Sequence, residues 1–401
     1  MRKMSATELR QVKEDMGIPD DGVDQVLQHI RLAALHHDVG HLPLSHTLEG
    51  LMSGSAEACG ARINGELFRL AKEHEVTGYL ITMRRDFQKL IENDVGGINL
   101  DTMRRLAFPK LGPGAPLHAI ISSSLDADRM DYILRDIYFT GDVERLVPYV
   151  YLDGDELLFD EKAKPFLEGF AIARYNSYKW VYFHHKPLFF TKIARDLLMK
   201  LMGSHPYPCL LLRFVNGELG NDVELLKITD DYFISLLPEL AAGDKAIPEA
   251  VMLATRRSPY RPLWKRDNDY MEAMGNLSIW LNQSLDKLRR QVGNGLEELI
   301  EHELISKMKC GDECIKAIIP KFDTSFKALM RSRSGTIINI WDASPLVRAI
   351  DESWQSSPHI FIYVNAKCDC PGESIVKNLT DIVRELMGRE TPTLSRSSDE
   401  H

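Results

Sequence analysis

The chain has 401 residues, of which 44% are hydrophobic and 27% charged, and its formal net charge is −9. This length predicts one large domain or two, since a single core stops growing near roughly 250 to 300 residues. The negative charge argues against bulk nucleic-acid binding through a basic surface, but it leaves room for a nucleotide in a local basic pocket.

The sequence shows no signs of a membrane or secreted protein. No apolar run approaches the roughly 18 residues of a membrane span, and the opening MRKMSATELRQ has no apolar signal core. The six cysteines are unevenly spaced, unlike those of a secreted disulfide scaffold. We therefore expect a cytoplasmic protein that has no membrane partner.

Apolar periodicity predicts a mainly α fold, with a smaller α+β region at the C-terminal end. Helical spacing of apolar residues runs through 23–39, 66–91, 120–137 and 166–202. TIINIW (336–341) and HIFIYV (359–364) are typical of strands. With the join near RRSPYRPLWK, we expect a domain over 1–255, an α+β region over 256–390 and a disordered polar tail over 391–401.

Three segments carry chemistry. The first is HHDVGHLPLSHTLE (36–49), where His37 and Asp38 offer the imidazole and carboxylate ligands of a divalent metal. The second is DADRMDYILRD (126–136), where a carboxylate on a helix face is a candidate third ligand. The third is RYNSYKWVYFHHK (174–186), whose cations and aromatic rings recur four residues apart and are predicted to line one helical face.

Each segment also has an ordinary structural interpretation. A His-Asp pair is often a surface feature, and Asp126 is in position to cap a helix. Aromatic and basic residues on a helix often cover a core with their apolar stems. The co-occurrence of all three segments in one chain favours a functional site.

Together these segments resemble the HD-domain metal-dependent phosphohydrolases, and within them the dNTP triphosphohydrolase (dGTPase-like) group. The resemblance rests on HHDVGHLPLSHTLE, KEHEVTG (72–78), DADRMDYILRD and RYNSYKWVYFHHK, which follow in the family's order. It covers residues 25–190 directly. It implies an HD-domain helical bundle that holds a divalent metal between helices, with Mn, Mg, Fe, Ni and Zn all suited to the ligands.

The resemblance also implies roles for individual residues. The implied metal ligands are His37, Asp38 and Asp128. His41 and His46 are expected to face the phosphates, and Glu49 with His74 to form the pair that handles protons. The implied substrate-binding residues are Arg129, Tyr132, Asp136, Arg174, Tyr178, Tyr182 and Lys186. In this set Arg129, Arg174 and Lys186 meet phosphates, Tyr132 and Asp136 bind the sugar, and Tyr182 packs under the deoxyribose. The doubled histidine leaves the register of His184, His185 and Lys186 open by one residue, and the role of Tyr178 is open.

The expected reaction is hydrolysis of a dNTP to a deoxynucleoside and inorganic triphosphate. Alternatives are another HD phosphohydrolase, such as a nucleotidase or phosphodiesterase, and a nucleotide-binding pseudo-enzyme that acts through a partner. Expected partners are the nucleotide substrate, an activating dNTP or GTP, and further copies of the chain in a dimer or tetramer. The basic residues Arg256, Arg257, Arg261, Lys265, Arg331 and Arg333 mark either a solvated surface or such a regulatory interface.

One departure from the family pattern concerns a fourth metal ligand, a histidine in an RFEHS-like segment before the HD pair. Apart from His36, which is adjacent to His37, the only earlier histidine is His29, eight residues before His37 on the same predicted helix and so about 12 Å away along its axis. We expect this first ligand to be missing from the chain. Either the start site is placed too late, or the chain is truncated, or the ligand is truly absent and the site is weakened.

Four of the cysteines form a further pattern. Cys310 and Cys314 are spaced CxxxC, and Cys368 and Cys370 are spaced CxC. Free thiols are one interpretation and a four-thiolate zinc site is the other, although structural zinc usually uses CxxC spacing.

Overall fold

A computed structural model describes residues 6–18, 22–51, 59–60, 65–112, 114–115, 117–123, 125–136, 146–153, 156–218, 220–320 and 326–388. The predicted disordered tail over 391–401 lies outside these residues. The described part of the chain is mainly helical, with a smaller α+β portion toward the C-terminus, which confirms the predicted fold class. Within this part, no helix has the length and apolar character needed to span a membrane.

The elements before residue 256 are mostly helices. In chain order they are α1 (Ala6–Asp15), α2 (Val23–His36), α3 (Leu67–Leu70), α4 (Glu73–Thr82), α5 (Arg85–Asp94), α6 (Leu100–Ala107), α7 (Ala127–Asp136), β1 (Val150–Asp153), β2 (Glu156–Asp160), α8 (Lys164–Ser177), α9 (His185–Leu201), α10 (Pro206–Val215), α11 (Asp222–Leu225), α12 (Asp230–Leu240) and α13 (Pro248–Thr255). A π-helical turn, Tyr178–Tyr182, lies between α8 and α9.

The elements after residue 256 mix strands and helices. In chain order they are β3 (Tyr260–Pro262), α14 (Asp267–Met274), α15 (Ser278–Val292), α16 (Leu296–Met308), β4 (Ile315–Ile318), β5 (Leu329–Arg331), β6 (Ile337–Asn339), α17 (Ile340–Ala343), α18 (Pro345–Ser356), β7 (Phe361–Asn365) and α19 (Gly372–Gly388).

The chain forms two compact units that interleave along the sequence. Unit 1 comprises residues 1–177, 191–256 and 326–348, and unit 2 comprises residues 178–190, 257–325 and 349–401. The sheet of unit 1 has the order β1-β2-β5-β6, with β2 and β5 parallel and the other pairs antiparallel. The sheet of unit 2 has the order β3-β7-β4 and is antiparallel.

Two apolar clusters in unit 1 fix the segment that follows α2. In the first, α2 packs on α6 through Val26, Ala33, Met103 and Leu106. In the second, Leu42 and Leu48 are buried with residues of α4, α9 and α10. Burial of such side chains stabilises by roughly 1.5–3 kcal/mol each, so the loop between α2 and α3 is held at both ends of its histidine-rich part.

Several predicted elements are divided in the structure. The predicted helix over 66–91 is three helices, because Ala71 and Arg84 adopt extended backbone. The predicted strand over 336–341 ends at Asn339, whose side chain accepts a hydrogen bond from Trp341 N and caps α17. Strands β1 and β2 were not predicted, and tertiary pairing stabilises them.

The interpretation of Cys310, Cys314, Cys368 and Cys370 as free thiols is wrong for two of them, Cys314 and Cys368. Cys59 is bonded to Cys209 and Cys314 to Cys368, with Cα–Cα distances of 5.5 and 5.7 Å. The partners are 150 and 54 residues apart in sequence, so only the fold brings them together. Cys310 and Cys370 are free, as predicted.

Candidate functional site

A first cluster of metal-type ligands forms where α2 ends and α7 begins. His37 is the C-terminal cap of α2, Asp38 follows it, and Asp128 lies in the first turn of α7. One ligand atom from each of the three lies within 4.8 Å of the others. The structure therefore brings together residues 90 positions apart that the sequence pattern selects.

The histidine of this cluster is oriented as a ligand. His37 Nδ1 lies 2.7 Å from the carbonyl oxygen of Ala34 and donates to it, which leaves Nε2 with the lone pair. His37 Nε2 points toward Asp38 Oδ1 at 3.3 Å. A second ring nitrogen held by a backbone carbonyl is the usual arrangement around a metal-ligating imidazole.

The two carboxylates of the cluster differ in their electrostatics. Burial raises the pKa of Asp38, but a hydrogen bond from His41 and the nearby imidazoles outweigh burial, and the net pKa is lowered. Burial raises the pKa of Asp128, and the charge of Asp38 raises it further. Two carboxylates that repel one another beside an imidazole lone pair are a donor set that a divalent cation fits.

Asp126 has the structural role that its position suggests. Its carboxylate accepts from the backbone N–H of Ser123 at 3.0 Å and of Arg129 at 2.8 Å, so it caps α7. It also pairs with the Arg129 guanidinium, which in addition donates to the Ser123 carbonyl. Arg129 is thus fixed beside Asp128 at the start of the helix.

A second cluster contains all four predicted catalytic residues. Ligand atoms of His41, His46, Glu49 and His74 all lie within 4.8 Å of one another. Glu49 Oε1 accepts hydrogen bonds from His46 Nδ1, at 2.8 Å, and from His74 Nδ1. The rings of His41 and His74 stack at a centroid distance of 4.0 Å.

The carboxylate of Glu49 determines which nitrogen of His74 carries the proton. Burial raises the pKa of Glu49, but hydrogen bonds from His46 and His74 outweigh burial and hold it well below its usual range, so Glu49 is an ion and only accepts. His74 Nδ1 is therefore protonated and Nε2 is left as a base. Burial, as the largest effect, lowers the pKa of His74. A buried neutral imidazole oriented by a carboxylate is suited to proton transfer.

The two clusters are joined through Asp38. His41 Nε2 lies 3.5 Å from Asp38 Oδ1, and His41 stacks on His74. The carboxylate of Asp38 thus lies beside an imidazole of the second cluster as well as that of the first.

Strained backbone and distant residues hold the loop that carries these histidines. Leu44 and Ser45 both have left-handed backbone, with φ of 61° and 51°. The Leu44 N–H donates to Asp230 Oδ1 at 2.7 Å, from the start of α12. The Gly50 N–H donates to the buried carboxylate of Glu73. Neither residue was selected from the sequence. Glu73 lies within the KEHEVTG segment, so its position beside His74 was a signal for it, whereas Asp230 lies in none of the quoted segments.

His29 is committed to the core. It is 1% exposed, its Nδ1 lies 2.7 Å from the Gln25 carbonyl oxygen, and its Nε2 accepts from the Asn99 N–H at 2.8 Å. Both ring nitrogens are used, which confirms that His29 does not substitute for a fourth metal ligand.

The predicted substrate-binding residues are distributed over both units. Tyr132 is partly buried on α7, and the side chain of Asp136 lies outside the described part of the chain. Arg174 is buried on α8 in unit 1. Tyr178 and Tyr182 belong to unit 2, where their rings meet edge to face at 5.2 Å, and Lys186 lies exposed at the start of α9.

The prediction that Arg174, Tyr178, Tyr182 and Lys186 line one α-helical face is wrong. The helix changes to a π-helical turn at Tyr178, and the Phe183 N–H donates to the Tyr178 carbonyl, five residues back, at 2.8 Å. A π turn shifts every later side chain relative to an α-helical face.

Comparison with known proteins finds distant relatives that include an HD-domain protein. No family model matches the chain. A Dictyostelium discoideum protein named deoxynucleoside triphosphate triphosphohydrolase SAMHD1 homolog is 23% identical over 67% of this chain and 49% of its own length. An HD domain-containing protein of Acanthamoeba polyphaga mimivirus is 23% identical over 53% of this chain and 44% of its own length.

Other similarities extend the comparison to structure. The first curated relatives that the chain matches are 30–31% identical, and the match spans only 35–38% of their length. A phosphohydrolase structure from Bacteroides thetaiotaomicron superposes with a TM-score of 0.54 at 16% identity, over 90% of this chain and 85% of that one, and so shares the fold. Together these similarities support an HD phosphohydrolase type for this chain.

Proposed function

We propose that this chain is a metal-dependent HD phosphohydrolase that acts on nucleotides, and that it converts a dNTP to a deoxynucleoside and inorganic triphosphate. The observation that carries the proposal is the His37–Asp38–Asp128 cluster beside a buried histidine, His74, whose tautomer is fixed by the carboxylate of Glu49. The similarity to the Dictyostelium protein named as a deoxynucleoside triphosphate triphosphohydrolase homolog supports the choice of substrate.

His37, Asp38 and Asp128 would hold the divalent cation. When bound, the cation supplies positive charge that activates a water molecule and neutralises phosphate oxygens. Three protein donors are the number typical of catalytic metal sites, since they leave coordination positions for water and substrate.

The chain's own residues supply the proton chemistry and part of the binding. His74 Nε2 accepts or returns a proton while Glu49 holds Nδ1–H and stabilises the imidazolium that forms. His41 and His46 are expected to face the phosphate oxygens, and Arg129 contributes a cation beside the cluster. The roles of Tyr132, Asp136, Arg174, Tyr178, Tyr182 and Lys186 in holding the nucleotide stay predictions from the sequence.

Product analysis tests the proposal. The protein is incubated with Mn²⁺ or Mg²⁺ and each dNTP in turn, and we expect deoxynucleoside and triphosphate in equal amounts. Asp128→Asn should reduce the rate at least about 100-fold. The matched control is Asp131→Asn, one turn along α7, where the carboxylate is exposed and pairs with Arg135.

The other outcomes separate the alternative functions. Release of orthophosphate or pyrophosphate would indicate a different HD phosphohydrolase, such as a nucleotidase or phosphodiesterase. Tight nucleotide binding without hydrolysis by metal-loaded protein would indicate a pseudo-enzyme. We further propose a dimer or tetramer stabilised by an activating dNTP or GTP, and a monomeric mass in solution with every nucleotide would contradict it.

A further inference from the structure

Four cysteines of unit 2 converge at one end of its sheet. Cys310 and Cys314 lie in the turn between α16 and β4, and Cys368 and Cys370 lie in the turn between β7 and α19. Strands β4 and β7 pair antiparallel, with the first residue of β4 opposite Val364 near the end of β7. The start of β4 and the end of β7 therefore coincide, and so do the two cysteine-bearing turns.

The sulfur atoms lie within the dimensions of one metal site. The Sγ atoms of Cys310, Cys314 and Cys370 are all within 4.8 Å of one another, and the Sγ of Cys368 is bonded to that of Cys314. Tetrahedral zinc with Zn–S bonds of about 2.3 Å separates its sulfurs by about 3.8 Å. All four sulfurs thus reach a common centre with small movements.

Backbone hydrogen bonds hold the two turns together independently of the sulfurs. The Asn365 N–H donates to the Cys314 carbonyl at 2.8 Å, and the Cys368 N–H donates to the Asn365 carbonyl at 3.0 Å. The Asn365 side chain also donates to the Glu313 carbonyl at 3.3 Å. Lys309 ends α16 in left-handed backbone, with φ of 52°, which turns the chain just before Cys310. These bonds position the ligands before any ion binds.

We propose that Cys310, Cys314, Cys368 and Cys370 form a four-thiolate zinc site in the reduced protein. A dithiol reductant first transfers two electrons and two protons to the Cys314–Cys368 disulfide, which gives two thiols and a disulfide in the reductant. Zn²⁺ then displaces the thiol protons to the solvent and bonds to four thiolates. Structural zinc sites usually hold their ligands together with tight CxxC turns. Here the pairing of β4 with β7 brings the cysteines together, so CxxxC and CxC spacing is sufficient.

The site is structural. Four protein ligands leave no position for a water or substrate, which is the pattern of zinc that stabilises a fold. The ion would link the turn before β4 to the turn that leads into α19. The thiolate ligands also separate it chemically from the imidazole and carboxylate clusters of unit 1.

Metal analysis of the full chain, purified with a reductant and without chelators, tests the site. We expect about one zinc per chain, and we expect Co²⁺ substitution to give the thiolate-to-cobalt charge-transfer absorption that imidazole and carboxylate ligands do not produce. Cys310→Ser and Cys370→Ser, which leave the disulfide pair intact, should each lower zinc affinity at least 10-fold. The control is Cys59→Ser with Cys209→Ser, which removes the disulfide of unit 1 and should leave zinc content unchanged.

Two results would overturn the proposal. One is reduced, folded wild-type protein with less than a tenth of an equivalent of zinc and no thiolate–cobalt absorption after Co²⁺ is added. The other is a Cys314–Cys368 disulfide that persists under reducing purification, shown by thiol counting in a mass spectrometer. Because both use the wild-type chain, a variant that fails to fold does not obscure the answer.

Discussion

Gly40, in the turn between the two clusters, offers a sharp test of the site geometry. It is buried, and a Cβ built on it would lie 2.1 Å from the His74 carbonyl oxygen and 2.4 Å from the Gly78 nitrogen. These are backbone atoms of α4, so they cannot turn aside as a side chain does. Gly40→Ala should therefore push the loop of Asp38 and His41 away from the helix of His74.

The expected loss of stability follows from the kind of contact that the new Cβ makes. Overpacking costs about 1–3 kcal/mol, and contact with two backbone atoms places Gly40→Ala at about 3 kcal/mol. At roughly 2–4 °C per kcal/mol, Tm should fall by about 6–12 °C. A displacement of about 1 Å between catalytic groups lowers the rate about 100-fold.

Two further glycines calibrate the measurement. A Cβ on Gly78 would lie 2.9 Å from the end of the Phe108 ring, a side chain, and its nearest backbone atom, the Gly40 nitrogen, would be at an ordinary contact distance of 3.5 Å. The cost of Gly78→Ala, about 1 kcal/mol, is offset by the better helix propensity of alanine. Gly112→Ala meets nothing within 4 Å and has extended backbone, with φ of −176°. Thermal unfolding and dNTP turnover of the three variants should rank Gly40 far below the other two, and equal behaviour of Gly40→Ala and Gly112→Ala would refute the reasoning.

The remaining predictions concern Glu49, Asp230 and the proposed metal ligand Asp128. Glu49→Gln should lower kcat about 100-fold, because the carboxylate that fixes the proton of His74 on Nδ1 is lost. Because the folded pKa of Glu49 is lowered, urea unfolding should show a stability advantage of wild type over Glu49→Gln that is full at pH 7 and is lost as pH falls below the ordinary value of 4.5; an advantage that grows in acid would contradict this. Asp230→Ala should cost about 1–2 kcal/mol in urea unfolding by removing the acceptor of the strained loop, whereas Asp231→Ala, its neighbour in the same helical turn, should cost under about 0.5 kcal/mol. Mn²⁺ at 100 times its Kd should stabilise wild type by about 2.7 kcal/mol, measured as a rise in Tm, and the rise should persist in Asp131→Asn but not in Asp128→Asn.

The sequence alone was sufficient to select the residues of both clusters. His37, Asp38 and His41 lie within five residues, so a motif of metal-type ligands can be recognised from the sequence without coordinates. The mainly helical fold was equally predictable, because apolar periodicity is a local property of each segment. The α2 helix, for instance, begins at Val23 as its spacing indicates.

What local pattern could not predict is where an interruption falls. The π turn at Tyr178 and the extended residues that divide 66–91 into three helices follow apolar and helix-favouring sequence. Their backbone is decided by packing against distant segments, which overrides the weak propensities of single residues. For this reason the prediction that residues from Arg174 to Lys186 line one helical face was wrong.

The sequence by itself therefore selected the candidate residues of both clusters, and the tertiary structure decided how they are held. The tautomer of His74, the opposite pKa shifts of Asp38 and Asp128, and the support of the loop by Asp230 all arise between residues far apart in the chain. The convergence of four cysteines from two turns has the same origin. Such interactions depend on distance and burial in three dimensions, and neither quantity is a property of residue spacing along the chain.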